Sequence, residues 1–114
     1  MGIKRGDIYL VDLTDALGSE QGGIRPAIIM QNDVGNEKSP TTLIVPLTSK
    51  KKHFSATHVT ITPDDGVAKL SEAECEQARV ADKLRLKKPI GVIRNPDVLE
   101  EINQKLMLAF GIQE

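Results

Sequence analysis

Apolar and polar positions along this 114-residue chain alternate in short runs before giving way to a helical period at the end. From Asp7 to Leu13, Ile8 and Leu10 alternate with Tyr9, Val11 and Leu13, the pattern of a strand with both faces partly covered. Ala16 to Gly23 (ALGSEQGG) holds three glycines and no apolar period, which predicts a loop of the kind that carries function on a rigid scaffold. Arg25 to Gln31 (RPAIIMQ) predicts a second strand that opens with a proline, where the missing N–H disrupts no ladder bond. Asn32 to Pro40 reads as a polar connection. Thr41 to Thr48 (TTLIVPLT) is β-branched and predicts a third strand, in which Pro46 implies an edge position or a bulge. Thr57 to Thr62 alternates again, with Val59 and Ile61 against His58, Thr60 and Thr62, and Asp64, Asp65 and Gly66 supply a turn.

Leu70 to Leu86 (LSEAECEQARVADKLRL) is ambiguous. Its Glu, Ala, Gln and Arg residues favour a helix capped by Ser71 on propensity alone. Ile90 to Ile93 is a short strand candidate. After it, Asn95 can cap a helix whose first position is Pro96, and Asp97, Glu100 and Glu101 lie near its positive end. Val98, Ile102, Leu106 and Ala109 or Phe110 recur at helical spacing, so this helix is expected to lay one face on the sheet, with Phe110 in the core. The expected architecture is mainly β with α, a mostly antiparallel domain spanning residues 1–114 with a C-terminal helix over one face.

Composition narrows the class. The 39% apolar and 27% charged residues are those of a globular chain. No segment offers the roughly 18 apolar residues of a membrane span, and the N-terminus lacks a signal-peptide run, so a soluble, cytoplasmic protein is expected. Cys75 is the one cysteine, which excludes an internal disulfide and a cysteine-based zinc site. A formal charge of −1 argues against coating nucleic acid by bulk electrostatics. The cations are nevertheless grouped, in Lys50, Lys51 and Lys52 and in Lys83, Arg85, Lys87, Lys88 and Arg94, where solvated basic loops are the simpler reading.

The most specific stretch is SEQGGIRPA, Ser19 to Ala27. Its glycine pair lets backbone approach a ligand, and the following proline holds Arg25 at a strand mouth as a preorganised cation. A guanidinium matches phosphate bidentately and keeps its charge at physiological pH. By itself the motif is equally served by an ion pair between Arg25 and a carboxylate such as Glu20.

The wider pattern resembles the MazF/PemK/Kid toxins of bacterial toxin–antitoxin systems over nearly the whole chain. KRGDIYLVDL (Lys4 to Leu13) is similar to the family's first strand, and GSEQGGIRPAIIMQND (Gly18 to Asp33) to its signature loop and second strand. SPTTLIVPLTS (Ser39 to Ser49) resembles the third strand with its terminal threonine, and CEQARVADKLRL (Cys75 to Leu86) a later strand followed by a short helical turn. That last likeness moves Glu72 to Val80 from helix to strand, with Glu72, Glu74 and Glu76 on an exposed face. Apolar residues are commoner in the family where this chain has Glu72, Ala73 and Glu74.

The resemblance implies an SH3-like β barrel that forms a homodimer, with single-stranded RNA along the dimer groove. It implies an endoribonuclease toxin that inhibits translation and growth. It further implies cleavage in which the 2′-hydroxyl of the RNA ribose attacks the adjacent phosphate without metal or cofactor, leaving a 2′,3′-cyclic phosphate and a 5′-hydroxyl. A small acidic MazE-like antitoxin is the implied partner. Family roles carry over as Arg25 and Thr48 in catalysis, with Glu20 at a position that contributes in some relatives. RNA contacts are expected at Ser19, Gln21, Gly22, Ser49, His53 and Gln77, the two glutamines as base readers because an amide both donates and accepts.

Physical chemistry sorts these roles. Arg25 is a poor general base with a pKa above about 12, and suits a charge clamp on the scissile phosphate. Thr48 lacks an activating base nearby in sequence and suits a hydrogen-bond donor, which leaves Glu20 to accept the 2′-hydroxyl proton. His53 and His58 could form an acid–base pair, although a polar strand face suffices for His58 and RNA backbone contact for His53. Asp64 and Asp65 are turn residues before a metal site. With Tyr9, Phe54 and Phe110 the only aromatics, recognition is expected to lean on hydrogen bonds over stacking. Two rivals remain: a toxin of the same fold that poisons DNA gyrase without nuclease activity, which has no need of Arg25 and Thr48, and a non-catalytic RNA-binding module.

Overall fold

The period of two in the second and third strands sorts their side chains into two cores, and the sheet is built around that division. In the computed structural model, which describes residues 2–49 and 56–112, Ile28, Met30, Val45 and Leu47 join Ile8, Val59, Ile61 and Ile102 in one core. Ala27, Ile29 and Ile44 join Val11, Leu13 and Ala81 in the other, beside Tyr9 and Leu86. Burying a large aliphatic side chain stabilises by about 1.5–3 kcal/mol, so this division fixes the register of both strands.

Among the described residues seven strands form, β1 (Asp7–Asp12), β2 (Ile24–Ile29), β3 (Thr41–Thr48), β4 (His58–Ile61), β5 (Ser71–Glu74), β6 (Arg79–Asp82) and β7 (Leu86–Val92). Two helices accompany them, α1 (Asp33–Lys38) and α2 (Pro96–Ala109). Every pairing is antiparallel, in the order β4-β5-β3-β2-β1-β7, with β6 added on β3. The result is the expected α+β, barrel-like antiparallel architecture. Asn95 caps α2 by accepting from the Asp97 N–H at 2.9 Å. Val98, Leu99, Ile102 and Leu106 then pack on the first core. No helix among the described residues is long and apolar enough to cross a membrane.

Several sequence expectations need correction. The polar connection from Asn32 contains α1, which Asn32 caps by accepting from the Gly35 N–H at 2.8 Å. Leu70 to Leu86 is not a helix, nor is 72–80 one strand: β5 and β6 are separated by a 3-10 turn at Cys75–Gln77. Glu74 is not on an exposed face, being 1% exposed. The strand candidate at Ile90 to Ile93 extends back to Leu86. Phe110 is 72% exposed and outside the core, because α2 ends at Ala109 and the chain turns away there.

Pro46 marks neither an edge nor a bulge. β3 is central, lying along β6 over Thr41–Ile44 and along β5 over Leu47–Thr48. Pro46 falls in the gap between these two ladders, where its missing N–H costs no strand bond. Pro26 is tolerated for the same reason, since the β2–β3 ladder begins one residue later at Ala27.

A glycine pair closes the far side. Gly66 ends a 3-10 turn with φ +100°, and a Cβ there would lie 2.6 Å from the Gly91 Cα. A Cβ on Gly91 would lie 2.6 Å from the Asp65 carbonyl oxygen, so neither position admits a side chain without moving backbone. Cys75 is buried, and burial pushes its thiol up to about 12, which makes it a packing residue and not a nucleophile.

Candidate active site

Arg25 sits on β2 opposite Val11 of β1. The β2–β3 pairing begins at Ala27, opposite Pro46, so Arg25 lies two residues before it on β2 and Thr48 two residues past Pro46 at the end of β3. Two backbone carbonyls fix the guanidinium: Nε donates to Gly22 at 2.8 Å and a terminal nitrogen donates to Leu47 at 3.3 Å. The ion pair with a carboxylate that the motif allowed does not form among the described residues. Glu20 instead accepts the Leu17 N–H at 2.8 Å. Arg25 is therefore oriented without being neutralised, the condition for a cation that must meet an anion. Thr48 is 7% exposed and pairs with Glu72 on β5.

The loop from Leu13 to Gly23 is closed at its base by the Leu13 N–H on the Gly23 carbonyl, 2.8 Å. Gly23 adopts φ +79°, and Gly22 packs on Ala16 and Leu13 while offering its carbonyl to Arg25. The glycine pair thus shapes the loop that aims Arg25. Gln21 is buried; its side-chain amide donates to Glu74 at 2.9 Å, and its backbone N–H donates to Gln77 at 3.2 Å. The two glutamines expected to read bases meet each other, and Gln21 acts as a strut that fixes the loop to the Cys75–Gln77 turn. Ser19 and Glu20 are exposed on the loop.

Glu20, Gln21 and Gln77 line a cleft of about 470 Å³ with Asp15, Glu76, Ala78 and Arg79. Asp15 bridges two arginines at its rim, Arg79 at 3.3 Å and Arg85 at 2.9 Å. The hydrogen bond from Arg79, aided by both positive charges, holds the Asp15 carboxyl below its ordinary range. Ser49, exposed at the end of β3, belongs to a separate depression with Pro26, Leu47 and Lys69. His53, with Lys50, Lys51, Lys52 and Phe54, lies outside the described residues.

His58 is no simple strand-face residue. Its ring nitrogens lie 2.8 Å from Glu72 and 3.1 Å from Glu76, and its side chain is 3% exposed. Burial opposes the charged ring, but the hydrogen bonds to Glu72 and Glu76 outweigh it and raise the His58 pKa. Burial likewise opposes ionisation of Glu76, and hydrogen bonds from Thr57 at 2.6 Å and from His58 keep its pKa low. His58, Glu74 and Glu76 bring ligand-type atoms within 4.8 Å of one another. Both imidazole nitrogens are already committed to carboxylates, so internal ion pairing accounts for this cluster.

Comparison with known proteins places this geometry. A model of the PemK-like, MazF-like toxins of type II toxin–antitoxin systems matches residues 4–110. The chain belongs to this family. It is 39% identical to the endoribonuclease MazF of Staphylococcus saprophyticus over 112 residues, 96% of this chain and 92% of that protein. Among solved structures, MazF of Deinococcus radiodurans superposes with a TM-score of 0.83 at 26% identity, covering 97% of this chain and 98% of that one. A MazE–MazF complex from the same organism gives a TM-score of 0.73 at 22% identity, covering 99% of each chain, which shows the fold.

Within this MazF-like frame, sequence reasoning did not find Asp15, Glu76, Arg79 or Arg85 as neighbours. Asp15 is separated from the arginines by 64 and 70 positions, so no local spacing announces the pairing. The His58 cluster did leave a signal: in an antiparallel pair His58 faces Glu74, which brings Glu72 and Glu76 into reach.

Proposed function

We propose that the chain is an endoribonuclease that cuts single-stranded RNA by intramolecular transesterification. The 2′-oxygen attacks phosphorus as its proton passes to Glu20, the bond to the 5′-oxygen breaks, and that oxygen takes up a proton from water. The products are a 2′,3′-cyclic phosphate and a 5′-hydroxyl end, and loss of message inhibits translation and growth. Arg25 carries this reading: it is a guanidinium held by two carbonyls, one of them that of Leu47, the residue before Thr48. Negative charge builds on the phosphoryl oxygens as the bond forms, and a preoriented cation and hydroxyl stabilise it; one such donor is worth about 2.7–4 kcal/mol. Glu20 is exposed on the loop whose Gly22 aims Arg25, which suits a carboxylate that must meet an incoming ribose. Ser19, Gly22, Ser49, His53 and Gln77 contribute RNA contacts, and Gln21 acts mainly by holding the loop. The reaction uses the chain's own side chains and no metal or cofactor.

The same reading makes the protein a cytoplasmic homodimer restrained by a small acidic antitoxin, by analogy with the MazE–MazF assembly named above. Leu43 and Val80, cross-strand neighbours 48% and 53% exposed, and Phe110 form apolar surface suited to a second copy.

Incubating the protein with a pool of unstructured RNA in EDTA and sequencing the ends tests the activity. Cleavage with cyclic-phosphate ends is expected, and Arg25→Ala should lower the rate by about 10²–10³ with the fold intact. Uncut RNA sinks the reading and leaves the gyrase-binding alternative.

A further inference from the structure

We propose that Arg79 and Arg85 form a backbone-phosphate subsite of the RNA cleft and that Asp15 occupies it in the free protein as an internal anion, to be displaced when RNA binds. This rests on the endoribonuclease reading and goes beyond the residues that reading needs. Arg79 lines the cleft together with Glu20 and Gln77, so a strand with its scissile ribose near Glu20 passes within reach of it. Arg85 is brought alongside by the shared carboxylate, 2.9 Å away, and is braced by the Asp12 carbonyl at 3.2 Å. Arg79 is likewise braced, its Nε donating to the Val80 carbonyl at 3.1 Å.

Two braced guanidinium groups around one carboxylate have the geometry that takes a phosphodiester with its two unesterified oxygens. Asp15 is suited to leaving. Its side chain is 47% exposed, against 28% and 33% for the arginines, and surface pairs of this kind contribute little that water and salt do not replace. It also belongs to the loop that carries Glu20 and Gly22. Exchange of Asp15 for a phosphate would release that loop to settle on the RNA. Asp15 therefore does two things at once: it cancels one of the two positive charges of the patch, and it couples occupation of the patch to the loop beside Arg25.

The test is binding of a single-stranded oligodeoxynucleotide, which offers the same backbone but lacks the attacking 2′-hydroxyl. Asp15→Asn is expected to bind it about 5-fold more tightly than the parent chain, the worth of one exposed ion pair. Arg79→Gln with Arg85→Gln should bind more weakly and lower the slope of log K against log salt by about 0.7 for each phosphate no longer neutralised. Asp15→Asn added to that double variant should change nothing. Arg79→Lys and Arg85→Lys replace the glutamine variants if thermal melting shows those unfolded, with a smaller loss in the same direction. Unchanged or weaker binding by Asp15→Asn overturns the proposal, as does a tightening that persists without the arginines, which would be long-range charge alone. Displacement by an acidic peptide with no response to the oligonucleotide also overturns it, since the subsite would then serve a protein. RNA cleavage run in parallel separates the two readings: cleavage that survives while binding ignores these variants sinks the phosphate subsite alone, and a chain that neither binds nor cuts sinks both.

Discussion

Two charged clusters flank the Cys75–Gln77 turn, and they differ in how they meet water. The cluster of His58 with Glu72 and Glu76 joins β4, β5 and the turn, and its central imidazole is withdrawn from solvent, at 3% exposure. Asp15 with Arg79 and Arg85 is open to it and joins the Leu13–Gly23 loop to β6 and the turn after it. Removing a buried central member leaves its partners only partly hydrated and close together with like charge, whereas the survivors of an exposed set are simply rehydrated. The same pairing of acid and base thus fixes a frame in one place and makes an exchangeable latch in the other. Both bear on the site, because the turn between them carries Gln77, and Glu74 and Gln77 hold Gln21.

The largest expected difference is in stability. His58→Ala should destabilise the fold by about 3 kcal/mol, the low end for breaking a buried pair because the two glutamates keep some solvent contact. Asp15→Asn should leave the urea midpoint where it is. Equal losses in the two variants would erase the comparison. Cys75 gives a second view of the same contrast, since its buried thiol reacts only from an opened state. Alkylation by iodoacetamide at pH 8 should be slow in the parent chain and about two orders of magnitude faster in His58→Ala, the rate equivalent of that stability loss. Asp15→Asn should react at the parent rate.

A smaller effect follows pH. The folded His58 pKa is raised, so its contribution is complete below the ordinary histidine value near 6.5 and is lost as pH climbs through the higher folded value. The folded Glu76 pKa is lowered, so its contribution is present above the ordinary value of 4.5 and is lost as pH falls through the lower folded value. Urea unfolding from pH 3 to 9 should show a plateau bounded by these two limbs. His58→Ala should abolish the alkaline limb, and retention of that limb would assign it to another group.

What the sequence disclosed depended on how local the cause was. β3 matches its expected bounds, Thr41–Thr48, and α2 begins at Pro96 as expected because Asn95 and Pro96 make its start self-contained. The segment from Leu70 misleads for the opposite reason: Glu, Ala and Gln favour a helix locally, and pairing with β3 and β4 overrides that preference. The burial of Glu74 is invisible without knowing that Gln21 lies across from it. The way Arg25 is held near the start of β2 was legible because a glycine pair, an arginine and a proline adjoin in one motif. That Arg25 meets no carboxylate among the described residues was not, since Glu20 turns back to Leu17.

The change of partner along β3 also bears on how the chain acquires its structure. One strand serves β2 along one edge and β6 then β5 along the other, with Ile44 paired on both, and the residues it supplies alternate between both cores. Neither half can condense while the other is open, so assembly is all or none and must wait for segments far apart in the chain to meet. The amides of Ile44 to Leu47, apart from Pro46 which has none, should be the last to exchange with deuterium, opening only when the whole molecule does.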